Sequence, residues 1–259
     1  MNDGISAGLR VERGESALWL TLDRPHRRNA LTIDLVDRIC DTLASVPDGV
    51  GAVVLTGAPP AFCSGGDVDD LDAVAAGGPL AVADTVYGRF HRLVSAIATA
   101  AVPVIAAVNG PALGGGFDLA LSCDLRVATP DTMFASSWIA VGLVPGMGGA
   151  HMLTRLIGAG RAAEVTLLGR RITATEAEEW GLVNAVVPAT ELESYLGELT
   201  GRLAGWSRPA LSRTKAALRR ARDAGLAEEL ATLGAVQGTL SSRPDFRAAT
   251  ERFRRRERD

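Results

Sequence analysis

The chain has 259 residues, of which 47% are hydrophobic, and its 27 basic and 30 acidic side chains give a net charge of −3 at pH 7. This length and apolar content are enough for one large core, so the composition excludes a disordered chain. The near balance of charges argues against a nucleic-acid-binding surface as the main function, because such surfaces are strongly basic.

Several features predict a protein of the cytoplasm with no membrane partner. Cys40, Cys63 and Cys123 show neither metal-ligand spacing nor a disulfide framework, so we expect buried free thiols in a reducing compartment and no metal site. The N-terminal residues show no basic and apolar signal sequence. The longest apolar stretch, 93–108, is interrupted by polar residues and a proline and is too short to cross a bilayer.

The predicted elements alternate between strands and helices through the first 190 residues. Short apolar runs predict strands at 17–22, 51–57, 103–108, 124–128 and 182–187. Apolar residues at helical spacing predict helices at 31–43, 83–100 and 147–157, and after the glycine run 114–116. The run Thr173-Ala-Thr-Glu176 has the pattern of a capping box that begins another helix. Repeated alternation of this kind indicates an α/β core.

The rest of the chain is predicted to be helical. From about residue 191 the strand signals stop, and Pro209, Gly225 and Pro244 divide the remainder into several helices. Such a region is too small to fold alone, so we expect it to pack on the core or on a neighbouring subunit. The arginine-rich run 252–258 is predicted to be a solvated helix end. The predicted regions are an α/β core over 1–190 and an all-helical region over 191–259.

Two glycine-rich loops carry the strongest functional signal. Ala61–Val68 follows a predicted strand, and Val108–Asp118 has three consecutive glycines directly before an apolar helical run. Glycine there permits positive φ or lets a ligand lie against the main chain, and a helix N-terminus attracts negative charge. Phosphates and carbonyl oxygens that become oxyanions both supply such charge. The phosphate alternative is weak, because neither the P-loop pattern nor a Rossmann glycine pattern is present in the required arrangement.

Together these loops closely resemble the signature pair of the crotonase (enoyl-CoA hydratase/isomerase) superfamily. The similarity extends, in order and approximate spacing, to the segments 24–31, 103–110, 142–149 and 179–184. It implies an α/β fold, a crotonase-like spiral of repeated β-β-α units followed by an all-helical C-terminal region that mediates trimers, often paired into hexamers. It also implies no cofactor other than the coenzyme A of the substrate.

The resemblance further implies a site for an acyl-CoA thioester. The thioester carbonyl is expected between the backbone N–H groups of Gly66 and Gly115, with Asp118 as the acid/base in the first helical turn. An alternative for Asp118 is an acid that only complements the helix dipole. An alternative for Lys215, the one lysine in the sequence, is a solvated helix face. Residues expected to bind the substrate or its CoA are Arg24, Asn29, Ala30, Ser64, Gly65, Asp67, Val68, Trp138 and Lys215.

The sequence departs from the family pattern at the second acid. Hydratases of the family use two glutamates, and the second position falls on Trp138, which cannot act as a base. The loop aspartate of some isomerases and dehalogenating relatives is replaced by Gly146. Trp138 and His91 resemble residues of the 4-chlorobenzoyl-CoA dehalogenase branch, but without an aspartate at 146 the dehalogenase nucleophile is absent. We expect His91 on a helix face or at the edge of the pocket, with a role as a base as the alternative.

These observations support three hypotheses about function. The first is an enzyme that forms an acyl-CoA enolate and uses a single carboxylate, as in double-bond isomerisation or decarboxylation. The second is a protein that binds acyl-CoA without turning it over, with Trp138 in the space of the lost base. The third is an enoyl-CoA hydratase with a different second group. The acyl group is not predicted, because the pocket walls come from residues 71–89 and from the C-terminal helices.

Overall fold

The computed structural model describes residues 8–221 and 225–256. Within these residues there are nine strands: β1 Leu9–Arg13, β2 Ala17–Leu22, β3 Ala52–Gly57, β4 Val104–Val108, β5 Ala112–Leu113, β6 Leu125–Ala128, β7 Met133–Ala135, β8 Arg171–Thr173 and β9 Ala185–Val186. Six of them form one sheet in the order β1-β2-β3-β4-β6-β9, and β5, β7 and β8 form a second, smaller sheet. In the large sheet, β1 pairs antiparallel with β2, and all the other neighbours are parallel.

Helices connect and follow these strands. The α-helices of the described residues are α1 Ile33–Ala44, α2 Val68–Ala75, α3 Pro79–Ala81, α4 Gly88–Thr99, α5 Gly115–Ser122, α6 Gly149–Leu167, α7 Ala174–Glu179, α8 Leu192–Ala204, α9 Arg208–Arg220, α10 Leu226–Ser241 and α11 Pro244–Arg256. A π-helical segment, Val82–Tyr87, joins α3 to α4, and short 3₁₀ turns lie at Pro25–Arg27 and Ser137–Val141.

The large sheet is covered on both faces, as a parallel sheet requires. Side chains alternate along a strand, so successive residues of β3 enter different apolar clusters. Val53 and Leu55 belong to the main core with α1 and α4, whereas Ala52 and Val54 belong to a second cluster that includes Leu196 of α8. The first C-terminal helix therefore packs directly on the sheet.

Most of the predicted strands are confirmed, but the last one is shorter than predicted. The runs at 17–22, 51–57, 103–108 and 124–128 form β2, β3, β4 and β6, whereas only Ala185–Val186 of the run 182–187 pairs with the sheet. The backbone N–H groups of Leu182 and Val183 instead donate to the carbonyl oxygen of Ala177 at the end of α7. That helix begins with the predicted capping box of Thr173 and Glu176.

The described part of the C-terminal region is helical, as predicted. Pro209 lies in the first turn of α9, Gly225 caps α10, and α11 begins at Pro244. A division between residues 190 and 191 stays a prediction, and the side chains of the run 252–258 lie outside the described residues. No helix in the described ranges is long and apolar enough to cross a bilayer.

The structure shows the state of the three cysteines and the arrangement of side chains that could bind a metal. Cys40, Cys63 and Cys123 are buried free thiols, as predicted, and burial raises the pKa of the Cys40 thiol to about 11 and those of the other two to about 12. Among residues 8–221 and 225–256, no group of three or more histidine, cysteine, aspartate or glutamate side chains is arranged to hold a metal ion.

Candidate active site

The two glycine-rich loops lie against each other at the N-terminus of α5. A parallel bridge between Cys63 and Ala112 joins them, and the N–H of Leu113 donates to the carbonyl oxygen of Cys63 over 2.9 Å. A Cβ atom placed on Gly115 would lie 3.5 Å from both Gly66 N and Gly65 Cα. The predicted neighbourhood of Gly66 and Gly115 is therefore present.

Glycine has a different structural role at each position of the run 114–116. Gly114 has φ +51°, a conformation that side chains disfavour, and Gly115 touches the facing loop at its backbone. A Cβ atom on Gly116 would overlap the carbonyl oxygen of Cys63, so that position admits only glycine. The run thus lets the start of α5 contact the first loop closely.

The backbone N–H groups of Gly66 and Gly115 are available to a ligand. Within the described parts of the chain, no acceptor for either group is found. Gly115 is the first residue of α5, so its N–H is one of the unpaired donors of the helix N-terminus. Two adjacent free donors of this kind can bind one oxygen atom and stabilise negative charge that develops on it.

Asp118 is fully buried in the first turns of α5. Its Oδ2 accepts a hydrogen bond of 3.3 Å from the backbone N–H of Met147, so it contacts the loop before α6 and not the start of its own helix. A Cβ atom on Gly149 would overlap Asp118 Oδ1, so the glycine leaves room for the carboxyl group. Burial raises the pKa of Asp118 to about 7, and the groups of Met147, Trp138 and Gly149 oppose part of that rise. A carboxyl group that titrates near neutral pH can both accept and donate a proton.

Trp138 lies next to Asp118 on the 3₁₀ turn. Its side chain is buried, and the indole is close enough to the carboxyl group to lower the pKa of Asp118. The indole N–H nevertheless falls outside hydrogen-bond geometry: both Trp138 Nε1 and Asp118 Oδ1 are buried without a hydrogen-bond partner among the described residues. The residue in the predicted second position thus supplies an unpaired donor beside the acid.

Tyr87 is a site residue that the sequence did not single out. A Cβ atom on Gly146 would overlap Tyr87 Cε1 and lie 2.9 Å from Tyr87 Cζ, so the phenol ring occupies the space that a side chain at 146 would need. Burial, and to a lesser extent the charge of Asp118, raise the pKa of Tyr87. His91 is exposed, and its Nε2 lies 2.9 Å from the carbonyl oxygen of Gly146, which places it at the edge of the site. The position of Tyr87 inside the predicted wall segment 71–89 was the signal available.

The predicted CoA-binding residues near Arg24 form a connected polar cluster. Arg24 Nη1 donates to the carbonyl oxygen of Ala30 over 2.7 Å and to Asp67 Oδ2 over 2.8 Å. Asp67 Oδ1 also caps α2 by accepting from the N–H of Asp69. Ser64 Oγ donates to the carbonyl oxygen of Arg27 in the 3₁₀ turn Pro25–Arg27. Val68 is exposed. This arrangement joins the loop before α1 to the first glycine loop.

Asn29 has a different role from the one expected of it. Its side chain is fully buried, its Oδ1 accepts from the N–H of Arg24, and its Nδ2 donates to the carbonyl oxygens of Ala58 and Ala61. These bonds leave no polar atom of the amide for a ligand on the surface. Asn29 fixes the geometry of the loops around the site.

Lys215 also departs from both of its predicted roles. It is 7% exposed, and its Nζ makes a 2.7 Å ion pair with Asp124 and donates to the carbonyl oxygens of Ile97 and Val102. An ammonium group has three N–H donors, and all three have partners here. Lys215 is therefore neither on a solvated helix face nor free to bind a CoA phosphate; it attaches α9 to the end of α4 and to the sheet.

Comparisons with known proteins agree with this fold. The sequence pattern of the enoyl-CoA hydratase/isomerase family matches residues 12–258. The chain is 35% identical over 222 residues to the probable enoyl-CoA hydratase echA8 of Mycobacterium tuberculosis, covering 85% of this chain and 84% of that protein. It is 31% identical over 213 residues to 4-chlorobenzoyl coenzyme A dehalogenase-2 of an Arthrobacter species, covering 79% and 75%.

Solved structures show the same similarity in three dimensions. An enoyl-CoA hydratase from Polaromonas sp. JS666 superposes with a TM-score of 0.88 at 31% identity, covering 95% of this chain and 96% of that one. A candidate enoyl-CoA hydratase from Thermobifida fusca YX, solved in complex with acetoacetyl-CoA, has a TM-score of 0.80 at 33% identity, covering 90% and 94%. The chain belongs to the enoyl-CoA hydratase/isomerase family, and its fold is the crotonase fold.

Proposed function

We propose that the protein is an enzyme that converts an acyl-CoA thioester through an enolate held by the backbone N–H groups of Gly66 and Gly115. The observation that carries this proposal is the pair of unpaired donors on two touching loops, next to the buried carboxyl group of Asp118. The relative solved with acetoacetyl-CoA supports a thioester as the ligand. Donors that are already in place stabilise an oxyanion by a few kcal/mol each, on the order of 3.

The chemistry that we propose uses one carboxylate. Asp118 removes a proton from the carbon next to the thioester carbonyl, the C–H electron pair enters the enolate, and reprotonation at another carbon completes a double-bond isomerisation. A pKa of about 7 suits this role, since the ionised form is abundant at neutral pH and its conjugate acid still gives up the proton readily.

Two related reactions have less support. Hydration of a double bond needs a second group that activates water, and the residue beside Asp118 is Trp138, whose indole is not a base. Dehalogenation by a nucleophilic carboxylate needs a side chain at 146, where Gly146 has none and the ring of Tyr87 fills the space. We therefore propose neither reaction as the main activity, although relatives with both names are similar to this chain.

The test is solvent deuterium uptake at the α-carbon across a panel of acyl-CoA thioesters, measured by mass spectrometry together with product formation. We expect exchange with at least one thioester and slow or undetectable hydration of crotonyl-CoA. Asp118→Asn should abolish exchange and leave thioester binding nearly unchanged. Glu193→Gln is the matched control, because it removes an exposed carboxylate from α8, which packs on the sheet.

The same experiment evaluates the alternative of a protein that only binds acyl-CoA. Saturable binding of thioesters with no exchange and no product in the whole panel would favour that alternative over an enzyme. Rapid hydration of crotonyl-CoA by the unmodified protein would instead show that a second group assists Asp118 in activating water.

We also propose that the protein forms a trimer or a hexamer through its C-terminal helices. Large apolar side chains on or beside these helices are exposed in the single chain: Trp206, Leu218, Leu230 and Phe246. Sedimentation at micromolar concentration tests the proposal, and a monomer would contradict it. Closed symmetric assemblies are the usual form of homo-oligomers.

A further inference from the structure

Tyr87 lies at the junction of two elements beside the proposed site. The π-helical segment Val82–Tyr87 ends at this residue, and α4 continues from Gly88. Short π-helical segments often occur at functional sites, because they shift the side chains that follow relative to a regular helix. Tyr87 is half-buried.

Three contacts fix the position of this ring. It packs edge-on against Phe90, with ring centroids 6.2 Å apart, and lies 6.0 Å from the ring of His91. Its Cε1 and Cζ fill the space beside the backbone of Gly146. His91, one helical turn further on, has its Nε2 2.9 Å from the carbonyl oxygen of Gly146, so the helix and the loop are joined next to the phenol.

The Tyr87 ring packs against the loop before α6, and the same loop forms a hydrogen bond with Asp118. Met147, the residue after Gly146, donates its backbone N–H to Asp118 Oδ2. The phenol ring and the carboxyl group therefore contact two adjacent residues of this loop, Gly146 and Met147. Among residues 8–221 and 225–256 the Tyr87 hydroxyl has no hydrogen-bond partner, and its oxygen is not one of the buried unpaired atoms, so a bound molecule can reach it.

We propose that Tyr87 is a further catalytic residue, whose hydroxyl delivers the proton to the γ-carbon of the enolate after Asp118 has removed the α-proton. This inference rests on the proposed function. It assigns the second proton-transfer role to a residue outside both glycine loops, in a site where Trp138 cannot act as a base.

The proton and electron balance of the cycle is closed without any other reactant. The α C–H bond breaks, the proton binds Asp118, and the electron pair enters the enolate. A new C–H bond forms at the γ-carbon with the proton of the Tyr87 hydroxyl, which leaves a phenolate. The proton on Asp118 then passes to the phenolate and restores both groups.

The electrostatics agree with a donor role for the phenol. Burial and the charge of Asp118 both raise the pKa of Tyr87 above its usual value of 10, so the hydroxyl carries its proton at neutral pH. Asp118 and His91 are titratable groups near the ring. A phenol kept neutral beside a carboxylate is suited to give up its proton only when charge develops in the substrate.

The experiment compares Tyr87→Phe with Tyr195→Phe in the full-length protein. The chain has two tyrosines, and Tyr195 lies on α8, so the control removes the same hydroxyl elsewhere. The probe is a 3-enoyl-CoA in D₂O, followed for deuterium uptake at the α-carbon and for conversion to the 2-enoyl-CoA. Tyr87→Phe keeps the ring that fills the space beside Gly146, and thermal unfolding of both variants checks that the fold is retained.

We expect Tyr87→Phe to lower the conversion about 100-fold, in the range of general acid catalysis, and to leave the α-exchange within about twofold of the wild-type rate. Tyr195→Phe should change neither rate. Conversion at the wild-type rate in Tyr87→Phe would overturn the role of Tyr87 and leave the proposed function intact, because Asp118 would then move both protons. Equal loss of exchange and conversion would also overturn it, since the hydroxyl would then act in the first step. Absence of both reactions in the wild-type protein would overturn the proposed function and this inference together.

Discussion

Asp118 and Trp138 lie side by side in the buried site, and each keeps one hydrogen-bonding atom without a partner among the described residues. Oδ1 of the acid is an acceptor and Nε1 of the indole is a donor, so the pair offers both kinds of contact to a polar atom that enters the site. An unsatisfied buried polar atom costs roughly 1–3 kcal/mol, so two of them together favour a site that binds a ligand or water. Trp138 therefore contributes a hydrogen-bond donor to the site as well as its bulk.

The buried acid should make stability depend on pH. Asp118 has a folded-state pKa of about 7, above the ordinary value of 3.8, so its ionisation destabilises the folded state. The cost is absent below about pH 4, grows as the pH rises and is fully present above about pH 7. Chemical unfolding should show that Asp118→Asn gains roughly 2–3 kcal/mol relative to wild type between pH 5 and pH 8. An equal difference at the two pH values would contradict this prediction.

Removal of the indole N–H should shift the pH dependence of α-exchange. Exchange needs the ionised form of Asp118, so its rate should rise with pH through a midpoint of about 7. Trp138 lowers the pKa of Asp118, and Trp138→Phe keeps an aromatic ring without the N–H. The midpoint in the variant should therefore move to higher pH, as measured by exchange rates from pH 5.5 to 9. Trp180→Phe is the control, because the Trp180 ring lies against Arg161 and Arg170 and does not affect the pKa of Asp118.

Gly149 should be essential for the position of the acid. A Cβ atom there would overlap Asp118 Oδ1, so Gly149→Ala should displace the carboxyl group and lower exchange at least about tenfold. Gly160 lies on the same helix, and a Cβ atom placed on it would have nothing within 4 Å, so Gly160→Ala should stabilise the protein by about 0.5–1 kcal/mol without changing exchange. Similar exchange rates in the two variants would show that Asp118 tolerates the methyl group.

Loss of the Lys215 ammonium should destabilise the fold and spare the affinity for CoA. Lys215→Met leaves Asp124 and two carbonyl oxygens without their partner, which should cost about 3–5 kcal/mol in chemical unfolding. Arg219→Met removes an exposed charge from the same helix and should change stability by less than about 0.5 kcal/mol. A large increase in the Kd for CoA thioesters with little loss of stability would restore the original CoA-binding prediction.

Parts of the fold could be predicted because they leave local signals. The strands β2, β3 and β4 are continuous apolar runs, and the capping box of Thr173 and Glu176 is a sequence pattern in its own right. The strands β5, β7 and β8 have two or three residues each and were not predicted, because their pairing depends on the contact between the loops and not on local sequence.

Some residues of the site could likewise be predicted from the sequence, and others could not. The glycine run 114–116 predicted a backbone with positive φ or one that a ligand can approach, and the family resemblance singled out Gly66 and Gly115, whose loops lie against each other in the structure. The sequence placed Tyr87 only within the predicted wall segment 71–89, because its contact with the site depends on the missing side chain at Gly146, which is 59 positions away. The burial of Asn29 and Lys215 could not be predicted from the sequence either. Both are polar residue types that are usually exposed, and their hydrogen-bond partners lie on other elements.

The ion pair of Lys215 with Asp124 also determines how the surface reacts. Lys215 is the single lysine of the sequence, and its amine is buried with three hydrogen-bonding partners. The other 26 of the 27 lysine and arginine residues are arginines. Thioesters acylate free amines, whereas a guanidinium group remains protonated and is a poor nucleophile. A protein that handles activated acyl groups thus displays no ε-amino group for them to modify, and amine-directed acetylation or cross-linking of lysine should leave its folded form untouched.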